Sequence, residues 1–181
     1  SSHLNDEHLW RSSLENYSYW AAYFLRMHSL SDVVGEQNYI RYLPVNHVVI
    51  RYSKDVSVLH LGLVMAALLL LDIPIIFSVS PLHVRFFNMS LGRQFASEVY
   101  VETMGQLAKR CQQQAVNRIR FFTLPSRRFS VYLSELPCQF VVDRVCMDGH
   151  IELLRYLHEQ TVSIRDHRHG FIGFNQNLYL L

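Results

Sequence analysis

The chain has 181 residues, half of them hydrophobic and 18% charged, with a formal net charge of +2. That balance excludes disorder as a whole-chain state, and the length suits one domain able to bury roughly 70% of its unfolded surface without disulfides or metal. The basic residues are scattered, mostly as arginine, so the concentrated stripe of a nucleic-acid binder is missing.

Residues 5 to 28 predict a long amphipathic helix. Asn5 or Asp6 is placed to cap it, and Trp10, Leu14, Tyr17, Ala21, Phe24 and Met27 recur at steps of three and four. Residues 29 to 38 are polar, contain Gly35 and read as a loop. A short strand then runs to Pro44.

From there the pattern alternates. Strands are expected at 47–52, 74–80, 83–89, 118–123, 139–145 and 161–167. Helices are expected at 56–72, 97–115, 126–136 and 150–160, the last capped by Asp148. The run at 74–80 shows no alternation, which predicts burial on both faces. Repeated strand–helix–strand units imply a Rossmann-like, doubly wound α/β fold with a mostly parallel sheet and right-handed crossovers. The most apolar run, 61–71, falls short of the about 20 residues that cross a bilayer. No secretory-signal pattern opens the chain, so a cytoplasmic protein without a transmembrane segment is expected.

Tests for chemistry are mostly negative. The turn 52–57 after the first strand of the alternating region has no glycine, and neither dinucleotide nor P-loop glycine motifs occur. Lys54 in that turn is able to touch a phosphate, but a lone lysine in a turn is usually solvated. His167 and His169 share a strand face about 7 Å apart, but Arg168 separates them and no third ligand has a familiar spacing, so no metal is expected. Asp143, Arg144 and Glu159 are suited to proton transfer, yet each reads better as a surface charge. Cys111, Cys138 and Cys146 fit free thiols in a reducing compartment.

The last strand differs from the others. Val162 and Ile164 share one face, while Thr161, Ser163, Arg165, His167 and His169 share the other. A strand this polar does not belong in a sheet interior. It is an edge or a departing arm, and open edges are paired or covered. Val162, Ser163, Ile164, Arg165, His167, Arg168 and His169 are therefore the candidate interface, docking by strand addition.

The segment IELLRYLHEQTVSIRDHRHG, residues 151 to 170, resembles the C-terminal end of the proline utilization A family, bifunctional proline dehydrogenase and L-glutamate-γ-semialdehyde dehydrogenases. GEQNYIRYLP, residues 35 to 44, is similar to a run that follows the aldehyde-dehydrogenase core in that family. The resemblance covers roughly residues 15 to 170. It implies a parent that uses FAD and NAD to oxidise proline to glutamate. The family's nucleophile in a Gly-Gln-x-Cys context is unmatched, since Ala108 follows Gly105, Gln106 and Leu107, and Cys111 comes later. The resemblance thus implies a non-catalytic accessory domain of the aldehyde-dehydrogenase superfamily, with no catalytic residue and no cofactor of its own. It would help assembly and enclosure. Its partners would be the upstream catalytic domains, with a homo-oligomer also open. The implied division is an N-terminal helix and linker at 1–34, a Rossmann-like domain at 35–170 with a closing flap at 159–170, and a tail at 171–181. A stand-alone module for a nucleotide or small metabolite, using loops at the strand ends, is the alternative.

Overall fold

The computed structural model describes residues 2–33, 36–113 and 116–165. Its centre is a five-stranded, wholly parallel sheet. In chain order the strands are β3 (Val48–Arg51), β4 (Ile75–Val79), β5 (Glu98–Val101), β6 (Arg118–Phe121) and β7 (Gln139–Val141). In space they run β5-β4-β3-β6-β7. The chain therefore winds outward from β3 to β5, then returns to lay β6 on the other side of β3. That reversal is a topological switch point, where the loops leaving two neighbouring strands diverge.

Strand alternation splits the core in two. Val48, Ile50, Phe77 and Val79 pack with α1 (Ser2–Phe24), α2 (Val58–Leu70) and α7 (Gly149–Leu154). Val49, Ile76, Ile119 and Phe121 face the other way, onto α5 (Met104–Gln113) and Leu133 of α6 (Arg127–Leu133). Every residue of β4 is buried, as the unbroken apolar run predicts. Ser57 caps α2 by accepting from the His60 N–H. The helix closes through Asp72, whose φ of 55° lets the Ile73 N–H reach the Leu68 carbonyl at 2.8 Å. Asp148 caps α7 as expected, accepting from the His150 N–H at 2.9 Å.

A second sheet is antiparallel, with the order β1-β2-β8: β1 (His28–Val33), β2 (Glu36–Pro44) and β8 (Leu157–Arg165). It corrects two expectations. Residues 29 to 38 are mostly strand, because β1 pairs with β2 despite its polar side chains. The helix expected at 150–160 stops at Leu154, because β2 pairs with β8 from Leu157 onward and that pairing overrides the helical period.

Other boundaries also move. The first helix ends at Phe24 rather than residue 28, and starting at Ser2 it places Asn5 and Asp6 inside it rather than at its cap. The strand expected at 83–89 is a 3-10 turn at Pro81–His83 followed by α3 (Val84–Asn88), with α4 (Leu91–Phe95) beyond. Ser80 accepts from the Leu82 N–H and Pro81 fits a first helical position. The helix expected at 97–115 divides, within the described residues, into β5 and α5. The Thr103 N–H donates to Gln106 Oε1 at 2.8 Å, and the Gln106 N–H donates to Thr103 Oγ1 at 3.3 Å. This reciprocal capping box starts the helix after β5 rather than before it.

The aromatic stripe of α1 packs on its own domain. Tyr17, Ala21 and Phe24 are buried, Trp10 and Leu14 half-buried, and Met27 lies past the helix end and is exposed. Among the described residues no helix is long and apolar enough to cross a membrane.

Candidate functional site

The antiparallel sheet forms an arm. Its outer edges are β1 and β8, so the described part of β8 has one strand neighbour. Val162 pairs with Tyr39, Ser163 with Asn38, Ile164 with Gln37 and Arg165 with Glu36. Ser163 Oγ donates to Glu36 Oε1 at 2.7 Å, and Arg41 Nε donates to Gln160 Oε1 at 2.6 Å. These cross-strand bonds fix the register. Residues 158–161, 163 and 164 are exposed and Val162 is half-buried. Both faces of β8 are thus largely open, including the apolar one. His167, Arg168 and His169 lie outside the described residues.

A charged cluster beneath the arm holds it in place. β6 carries Arg118 and Arg120 on one face. Arg118 donates to the Leu157 carbonyl at 2.8 Å and to the Leu154 carbonyl at 3.4 Å, clamping the junction of α7 and β8. Arg120 is fully buried, 3.4 Å from the equally buried Glu152. Glu152 also accepts from Tyr156 OH at 2.8 Å, from the Cys146 N–H at 2.9 Å and from Arg155 Nη1 at 2.5 Å. The Tyr17 hydroxyl donates to the Cys146 carbonyl. Burial, and then the Glu152 charge, raises the Tyr17 and Tyr156 hydroxyls well above their ordinary value, so both stay protonated. Sequence reading missed this cluster, because Arg120 and Glu152 sit in different elements, 32 positions apart.

The third feature is a cleft of about 310 Å³ at the switch point. Arg51, Tyr52 and Ser53 reach it from β3, Phe121, Phe122 and Thr123 from β6, and Ser80 and His83 from beyond β4. The 52–57 turn beside it lacks glycine, and Ser57 accepts from the His60 N–H. Lys54 lies outside the lining and pairs with Asp55 at 3.5 Å. Asp143 is exposed and 3.8 Å from Arg155, and the Arg144 carbonyl accepts from Arg155. Glu159 is exposed on β8. None of these lines the cleft, and among the described residues no cluster of side chains is suited to a metal ion.

No protein-family model matches the chain, and no curated protein does. Solved structures do. Proline utilization A from Corynebacterium freiburgense aligns with a TM-score of 0.55 at 17% identity, covering 87% of this chain and 13% of that one. Succinate-semialdehyde dehydrogenase from Burkholderia pseudomallei aligns at 0.52 and 10% identity, covering 77% of this chain and 31% of that one. The fold is aldehyde-dehydrogenase-like. Histidinol dehydrogenase from Elizabethkingia anophelis aligns with a TM-score of 0.54 at 9% identity, covering 79% of this chain and 36% of that one. At such identities the likeness is one of fold alone. The chain spans between 13% and 36% of the length of these three structures.

Within this aldehyde-dehydrogenase-like fold, Cys111 is buried in α5 and Cys138 and Cys146 are half-buried; all three are free thiols. A hydrogen bond to Cys138, together with burial, pushes the Cys111 thiol up, and the same bond holds Cys138 down. A thiol kept protonated and covered is a poor nucleophile. Iodoacetamide is expected to label Cys138 and Cys146 in the native protein and Cys111 only on unfolding, as read by peptide mass mapping. Early labelling of Cys111 would reveal a reachable thiolate.

Proposed function

We propose that this chain is a non-catalytic accessory part of a larger aldehyde-dehydrogenase-like enzyme, with its arm laid on a neighbouring domain or subunit. The observation that carries this reading is the arm itself. A three-stranded sheet projects an exposed β8 edge instead of folding that strand into the central sheet, and such edges serve strand addition. The covered Cys111 and the glycine-free turn support a role without chemistry. The short span of the alignment with proline utilization A supports membership of a longer protein. The finer reading is a parent that oxidises proline to glutamate with FAD and NAD, in which Val162, Ser163, Ile164 and Arg165, continued by His167, Arg168 and His169, help enclose the aldehyde dehydrogenase part.

The test has two arms. The isolated chain is expected to produce no NADH from glutamate semialdehyde. In the whole protein, Ile164→Asp is expected to disturb assembly, seen as a changed sedimentation profile, and to lower coupled proline-to-glutamate turnover severalfold. Turnover by the isolated chain, lost on Cys111→Ala, would refute the reading. So would a whole protein indifferent to Ile164→Asp.

A further inference from the structure

The switch-point cleft has an unusual charge balance. Its lining contains the nitrogen-bearing side chains of Arg51 and His83 and the hydroxyls of Ser53, Ser80, Thr123 and Ser126, but no carboxylate. Arg51 is 9% exposed. Its Nη1 donates to Ser78 Oγ at 2.8 Å and to the Glu102 carbonyl at 3.0 Å, both uncharged acceptors. The Glu102 carboxylate is taken by Arg110 in a two-pronged bond, at 2.7 and 3.1 Å. Among the described residues no carboxylate lies within ion-pair distance of Arg51, and the rest of its fork makes no hydrogen bond there.

An arginine does not shed its proton in a protein. Burial lowers the Arg51 pKa and the Glu102 charge opposes that shift; the guanidinium stays charged in spite of its burial. A buried charge of this kind is costly until an anion meets it. His83 also lines the cleft, from the turn that follows β4. An oxyanion satisfies the guanidinium fork and accepts from the hydroxyls. The volume lies at the low end of the ~300–1,000 Å³ of small-molecule pockets, so the occupant is small. Tyr52 and Phe122 give it an apolar wall.

We propose that this cleft binds a small organic oxyanion, a carboxylate or a phosphate monoester, with its charged end on Arg51 and its body against Tyr52 and Phe122. This assignment is independent of the arm's proposed role, since the cleft belongs to the parallel sheet.

Isothermal titration with inorganic phosphate and, separately, with benzoate tests it, against sodium chloride of equal ionic strength. Saturable binding of at least one anion is expected, with a Kd on the order of 1 mM or tighter. Preference for phosphate assigns the monoester and preference for benzoate assigns the carboxylate. Arg51→Met is expected to weaken binding at least tenfold and His83→Ala severalfold, while Lys54→Ala leaves it unchanged. Because Arg51 is buried, a melting curve accompanies its variant, and His83→Ala decides if Arg51→Met does not fold. Failure of both anions to bind the wild type overturns the assignment. So does binding that survives every variant tested in folded form, or binding of NAD with neither small anion.

Discussion

Glu152→Gln is expected to lower the free energy of unfolding by about 3–5 kcal/mol, the usual loss when one partner of a buried ion pair is removed. Arg120 is fully buried 3.4 Å from Glu152, and its own nitrogens have no hydrogen-bond partner among the described residues. Without the carboxylate its charge is stranded. Arg155, the Tyr156 hydroxyl and the Cys146 amide lose an ionised acceptor in the same step. Urea unfolding followed by circular dichroism reads the loss. Adding Arg120→Met is expected to restore much of it, since an apolar replacement of a buried pair is often neutral. No recovery in the double variant would mean that the hydrogen bonds to Glu152, rather than the buried charge of Arg120, dominate.

Gly149→Ala is expected to destabilise by about 1–3 kcal/mol, the range for overpacking a filled site. A Cβ there would lie 2.7 Å from the Tyr17 Cα and 3.1 Å from its backbone nitrogen. Backbone cannot rotate away, so α1 must lift from α7. Gly149 also donates its N–H to Asn16 Oδ1 at 2.6 Å, and the Trp20 ring lies tilted against His150 with centroids 4.3 Å apart. Tryptophan fluorescence should shift together with the urea midpoint. Gly62→Ala is the comparison: its Cβ would meet the ring tip of Trp10 at 2.9 Å, and a side-chain tip yields more readily. Equal effects at the two glycines would show that α1 is free to slide over α7.

The central architecture was legible in the sequence where one force dominates. β3, α2 and β4 are apolar runs punctuated by caps and turns, and burial sets their state. The sequence misleads where partners are remote. HSLSDV carries no strand signal of its own and becomes β1 because β2 lies beside it. LHEQ continues a helical period but pairs with residues more than a hundred positions upstream. The Thr103–Gln106 capping box divides a stretch that reads as one helix by its periodicity. Of the candidate interface, the polarity of Ser163 and its neighbours marked β8 as an edge, and that edge is where the structure places it. Arg51 was invisible as a candidate site because it ends an apolar strand, where charge ordinarily means solvent. Its meaning comes from Ser78, Glu102 and Arg110, brought together only by the parallel order of β3, β4 and β5.

The pairing of β2 with β8 has a consequence for biosynthesis. Pro44 meets Leu157 and Glu36 meets Arg165, so the two strands bracket the entire parallel unit. While the ribosome is still making that unit, the β1–β2 hairpin emerges with its inner edge bare, and it stays so until β8 arrives. Such long-range closure comes late in folding. A nascent or prematurely terminated chain exposes a sticky ribbon to its neighbours, so the greatest aggregation hazard for this protein belongs to its incomplete forms.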